Sequence, residues 1–240
     1  MEWEWFWSNN GARLATVRVF ELLCERKISI PLGWKLAFHF PDIGVSKVMY
    51  KSYRGFNLTP MWLLIAVNFL LFIATLINPR LIFGFLGLQP AAFPVMPWTI
   101  VTNLFVHAGI GHIIANMITL YFFGRFLSML VGGRSFLIVY FLGGIAGNIC
   151  FLLLPPSPLA IAVGASGAIF ALGGALAVMV PKLRVFVFPI PAPLPLWVAV
   201  IGGFFIISFP PYVAWQAHLG GLVFGLIAGL FFRRRQRRFF

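Results

Sequence analysis

After Asp42 the chain contains no acidic residue: Glu2, Glu4, Glu21, Glu25 and Asp42 are its five acidic side chains, and the 198 residues that follow Asp42 hold none. That long acid-free stretch is instead a series of apolar runs punctuated by glycine, proline and a few basic residues. A chain that is 61% hydrophobic and 10% charged has too much apolar surface to bury inside a water-soluble globule of this size, so most of it must face lipid. The expected fold is an all-α, multi-pass membrane protein. The missing acids also narrow the chemistry. Paired-aspartate proteolysis, zinc proteolysis of the HExxH kind and carboxylate proton relays all need acids within the membrane region.

Residues 1 to 58 form a separate region that carries eight of the eighteen basic residues. Its start, MEWEWFWSNN, lacks the basic onset, apolar centre and small-residue cleavage site of a signal peptide, so it is expected to stay on the mature protein. Trp3, Trp5, Phe6 and Trp7 suit the headgroup level, and Gly11 to Lys27 suits a short basic surface helix, although a plain cytosolic extension fits equally. Cys24 and Cys150 stand apart, with no CxxC and no histidine at metal-ligand spacing, and no metal or cofactor is expected.

Six spans are expected, near residues 60 to 78, 102 to 124, 135 to 154, 166 to 181, 194 to 209 and 213 to 232. Between the first two, residues 79 to 97 are apolar but broken by Pro90, Pro94, Pro97 and two glycines, which reads as a loop partly immersed in the interface. Basic residues fall in the N-terminal region, at Arg125 and Arg134, at Lys182 and Arg184, and in the RRRQRR tail, leaving Arg80 alone on the other side. The bias places both termini in the cytoplasm and requires an even number of crossings. The net charge of +13 is read as this bias and not as a nucleic-acid footprint.

Within this frame, Ser166 in Gly164-Ala165-Ser166-Gly167 begins a span from the outer side. His112 and Asn116 lie in the outer half of the second span, and His218 lies near the outer start of the sixth, 52 residues after Ser166. Charges and span lengths therefore bring four polar groups to one depth. A serine hydroxyl needs a base within hydrogen-bond reach, and with no acid nearby His218 is the best candidate. His112 and Asn116, at i and i+4, project from one helix face and with the Ser166 backbone N–H could donate to an oxyanion. Small residues would allow the fourth and sixth spans to approach closely: Gly167, Ala171 and Gly174 on one, Gly221, Gly225 and Gly229 on the other. Each feature also has a plain alternative. A span serine often bonds its own i−4 carbonyl, histidine and asparagine can be interhelical glue, and a GxxxG face is often packing alone.

Taken together and in order, HAGIGHIIANM, GASGAIFALGG and AHLGGLVFGL resemble the rhomboid family of intramembrane serine proteases across about residues 60 to 232. The resemblance implies a six-helix bundle in which Ser166 is the nucleophile and His218 the general base, with His112, Asn116 and Gly164 on the oxyanion and substrate side. Gly167, Phe170 and Gly221 would support the packing, with Phe170 standing where the family often has tyrosine and stacking on His218. It implies substrates that are membrane-anchored proteins cut near the outer end of their helix, with the lipid bilayer and no nucleic acid as partner. A prokaryotic cell membrane is the expected location. Thr99 and Ser128 stand where the family often has arginine and glutamate. A catalytically dead adaptor of the same fold, or a transporter, are the rival classes. The chain has both the serine and the histidine that dead relatives usually lack, and it shows no internal repeat or intramembrane charge pair.

Overall fold

The computed structural model describes residues 59–187, 190, 192–210 and 212–237, so the expectations for residues 1 to 58 lie outside the described residues. Among the described residues the fold is helical. The order is α1 (Thr59–Ile77), α2 (Pro79–Leu86), α3 (Thr99–Thr102) running into a 3-10 turn (Asn103–Phe105), α4 (Ile110–Val131), α5 (Gly133–Leu153), α6 (Ser166–Met179), α7 (Leu196–Ser208) and α8 (Trp215–Arg237). Two short strands, β1 (Arg184–Val185) and β2 (Leu194–Pro195), pair antiparallel between α6 and α7, with Arg184 opposite Pro195.

Among the described residues, four helices are long and apolar enough to cross a membrane: Pro60–Ile77, Ile110–Val131, Gly133–Leu153 and Trp215–Arg234. Two apolar helices are shorter, α6 with 14 residues and α7 with 13. The outward faces of the long helices are apolar as well. Leu70, Ile77 and Ile227 are all more than half exposed, an arrangement that suits lipid and not water. The chain is an integral, multi-pass membrane protein.

At the centre lies α6, packed against α8, α5, α4 and α7. Eleven of its 14 residues are buried, most of them glycine or alanine. Small side chains let backbones approach. A Cβ added at Gly174 would stand 2.8 Å from the carbonyl oxygen of Leu222, and one at Gly229 2.6 Å from that of Ala175, while Gly221 rests directly on the backbone of Gly167. With little hydrophobic drive between helices in lipid, this close van der Waals contact is what joins α6 to α8.

The elements depart from the expected ones in two places. Residues 79 to 97 are not all loop: Pro79, preset for a first helical turn, starts the eight-residue α2, and the Asn78 side chain accepts from the Leu81 N–H at 3.1 Å. The second span begins at Ile110, eight residues later than expected, because Val106 and Gly109 are extended and interrupt the helical path after Phe105. It then continues past Arg125, whose guanidinium bonds the Tyr121 hydroxyl one turn earlier at 3.2 Å, and stops only at Gly132. Gly132, with φ at +85°, donates to the Ser128 carbonyl and accepts from the Phe136 N–H, so one residue ends α4 and starts α5. Arg125 and Arg134 thus sit on helices and not in a connecting loop. The fourth span, by contrast, starts at Ser166 as expected, and the segment before it is bonded elsewhere, the Ala162 N–H to Leu88 and the Gly164 N–H to Asn103.

Candidate active site

Ser166 is the first residue of α6, and what precedes it explains why it points where it does. Leu88 and Ala162 exchange a pair of backbone hydrogen bonds, at 3.0 and 2.8 Å, so the segment before α6 is strapped to the end of α2. One step on, the Gly164 N–H donates to the carbonyl of Asn103 at 2.9 Å. Asn103 is itself fixed: its side-chain amide and that of Asn148 on α5 exchange bonds of 3.0 and 2.7 Å, and Asn148 also donates to the Ile100 carbonyl at 2.7 Å. Both asparagines are buried, so each is satisfied by the other and by backbone. Gly164 then takes φ of +122°, a left-handed conformation that L side chains rarely adopt, and turns the chain into the helix.

The turn leaves the first N–H groups of α6 without intrahelical partners at the positive end of its dipole. His112, in the first turn of α4, packs over the same place. A Cβ added at Gly164 would lie 2.7 Å from its Cε1 and Nε2 and 3.7 Å from the Ser166 Oγ. His107, fully buried, meets His112 edge-on with ring centroids 5.0 Å apart. Asn116 is buried, and one of its amide N–H groups donates to the carbonyl of His112 at 2.8 Å. An asparagine amide has two such donors, so this bond occupies half of its capacity.

From α8, His218 reaches across to Ser166, with Nε2 and Oγ 2.8 Å apart. The close approach of Gly221 to Gly167 is what lets the two helices bring these side chains within bonding distance. The imidazole is buried and lies against Phe170, ring centroids 4.7 Å apart and planes tilted by 40°. Phe170 in turn meets Phe204 of α7 edge-on at 5.8 Å. The other ring nitrogen, Nδ1, is 2.8 Å from the hydroxyl of Ser208, the last residue of α7.

Of the residues singled out in the sequence, Ser166, His218, His112, Gly164, Gly167, Phe170 and Gly221 therefore meet around one point, and Asn116 stands one turn along α4 with its amide partly engaged in its own helix. Sequence reading missed Ser208. The sequence shows only that α7 holds one hydroxyl; which imidazole nitrogen it meets is set by packing and has no local pattern. It also missed how the first loop is braced. The Trp98 indole donates to the Phe85 carbonyl at 2.8 Å and the Thr102 hydroxyl to the Leu86 carbonyl at 2.9 Å, while Thr99 bonds only locally, to Met96.

The model of the Rhomboid domain matches residues 94–235, more than half of the chain, with His112, Asn116, Ser166, Ser208 and His218 among them. The chain belongs to the rhomboid family. Among its relatives, Rhomboid protein 1, mitochondrial, of Saccharomyces cerevisiae is 30% identical over 163 residues, covering 58% of this chain and 44% of that protein. Rhomboid protease GluP of Bacillus subtilis is 32% identical over 133 residues, 55% of this chain and 25% of the relative. Rhomboid-like protease 3 of Toxoplasma gondii is 38% identical over 88 residues, 37% of this chain and 33% of the relative. In each case the match spans less than half of the relative's length.

Proposed function

We propose that this rhomboid family member is an intramembrane serine endopeptidase that cuts membrane-anchored proteins near the outer end of their transmembrane helix. The observation that carries the reading is the 2.8 Å approach of Ser166 Oγ to His218 Nε2 in a buried setting. The names of the Bacillus and Toxoplasma relatives as proteases support it.

In the proposed reaction the Ser166 oxygen attacks the scissile carbonyl carbon as its proton passes to Nε2 of His218, and the carbonyl π pair moves to oxygen. The oxyanion would form by the start of α6, with the Ser166 N–H, His112 and the remaining amide donor of Asn116 as its proposed donors. Collapse of this intermediate breaks the C–N bond, the leaving nitrogen takes the proton from Nε2, and water then hydrolyses the acyl ester by the same relay. Gly164 keeps the space between His112 and Ser166 open for the carbonyl, and Phe170 holds the imidazole plane.

The six-crossing, cytoplasmic-termini arrangement belongs to this proposal. At 1.5 Å per residue the 14 residues of α6 give ~21 Å, short of the ~30 Å hydrocarbon layer, and the apolar segment before it would make up the depth. Such an arrangement sets the start of α6 below the outer surface, with its irregular backbone bonded to protein and not facing lipid. We place residues 59–240 in the protease unit, with 1–58 as an extension. The expected prokaryotic cell membrane gains no support from these relatives, the yeast one being named mitochondrial; an integral membrane location is what they support.

Labelling the purified protein in detergent with a fluorophosphonate probe tests the nucleophile. The wild type should label, and Ser166→Ala and His218→Ala should not; labelling of Ser166→Ala would show that the reactive hydroxyl is elsewhere.

A further inference from the structure

We infer that Ser208 is the positioning residue for the His218 base, accepting a hydrogen bond from Nδ1–H and so holding the imidazole in the tautomer that leaves the Nε2 lone pair facing Ser166. The inference rests on the protease reading above.

The geometry is a three-membered line. Ser208 Oγ is 2.8 Å from Nδ1, and Nε2 is 2.8 Å from Ser166 Oγ. A neutral imidazole carries one proton, on one nitrogen or the other, and the bond made by the far nitrogen decides which. For Nε2 to take a proton from Ser166 it must be bare, so Nδ1 must carry the hydrogen and needs an acceptor. In a Ser-His-Asp triad a carboxylate fills that role. No carboxylate occurs after Asp42 in this chain. The group at Nδ1 is a hydroxyl.

Water is a poor substitute here, because Ser208 has no exposed surface and His218 has 5%. Ser208 is also built into its place. The buried residues of α7 are Leu196, Val200, Phe204 and Ser208, one stripe at four-residue spacing. This stripe is apolar until its last member, which meets the histidine. One turn earlier, Phe204 packs edge-on against Phe170, the ring that lies on the face of His218. A single face of α7 therefore sets both the ring's stacking partner and its hydrogen-bond partner. During the attack the Ser166 proton moves to Nε2 while the Nδ1 proton stays on nitrogen, so Ser208 gains and loses no proton. Its oxygen faces the positive charge that develops on the imidazolium.

The test uses ¹⁵N-histidine-labelled full-length protein, with His218→Ala to assign the ring signals, together with fluorophosphonate labelling rates of wild type, Ser208→Ala and Ser208→Thr. The wild-type spectrum should show His218 protonated at Nδ1 and bare at Nε2. Ser208→Ala, which keeps the size of the site, should move His218 toward the other tautomer and slow labelling roughly tenfold, the scale of one neutral hydrogen bond. With a peptide-bond substrate the loss should fall on kcat and not KM, and Ser208→Thr should recover most of it. A wild-type His218 protonated at Nε2, or an alanine variant that labels as fast as wild type, overturns the inference while leaving the protease reading intact. A wild type that does not label overturns both.

Discussion

Gly164 is where backbone conformation and the geometry of the proposed active site depend on one missing side chain. Its φ of +122° strains any L residue, at a cost of about 1–3 kcal/mol, and a Cβ would stand 2.7 Å from the His112 imidazole. Gly164→Ala is expected to push that ring off the Ser166 site and lower cleavage by about 100-fold or more, the scale of a lost oxyanion donor. Thermal unfolding in detergent, run alongside, should show a much smaller change; activity within twofold of wild type would remove Gly164 from the site. At this scale the sequence is informative wherever a side chain is costly to bury in lipid without a purpose, as with Ser166, His112 and His218. It is silent where the partner is chosen by packing. The contact of Ser208 with Nδ1 depends on where α7 ends relative to α8, and the Asn103 to Asn148 exchange depends on α3 meeting α5, and neither has a local pattern.

The α6 and α8 pair is held by glycines whose absent Cβ atoms would meet backbone. Gly221 lies against the carbonyl of Gly167, so a larger residue cannot be accommodated by a rotamer change. Gly221→Val is expected to part the helices, destabilise the protein by at least about 1–3 kcal/mol and abolish probe labelling by separating Ser166 from His218. Gly202→Ala on α7 is the matched control, since an added Cβ there meets nothing within 4 Å, and should leave stability and labelling unchanged. A thermal shift and a labelling assay on both variants decide this; an unperturbed Gly221→Val would show that the close approach is dispensable. The small-residue face was readable from the four-residue spacing, as were most helix positions from apolar runs. The onset of α4 was not, because the residues from Thr99 to Gly109 are as apolar as a span and only their backbone path reveals the break. Arg125 misled in the same way: a charge marks a boundary only when it reaches water, and this one finds the Tyr121 hydroxyl.

Across the described residues, the apolar outer faces of α1, α4, α5 and α8 and the buried polar groups around the start of α6 describe one design: lipid outside, a cluster of polar groups held within the bundle. In the proposed topology, with cytoplasmic termini, that site would lie on the far side, close to the outer end of a substrate's helix. An intact helix keeps its carbonyls in its own hydrogen bonds, so a substrate must unwind locally to present one, and a site just inside the outer leaflet is where a helix end can do so. The most direct measurement is cleavage of a single-span model protein co-reconstituted with the enzyme in liposomes, with the cut position read by mass spectrometry. Wild type should cut at one or a few bonds near the outer end of the span, and Ser166→Ala and His218→Ala should yield no product. Cleavage that persists in folded Ser166→Ala, or a substrate left whole by a wild-type protein that retains its fold, would contradict the account.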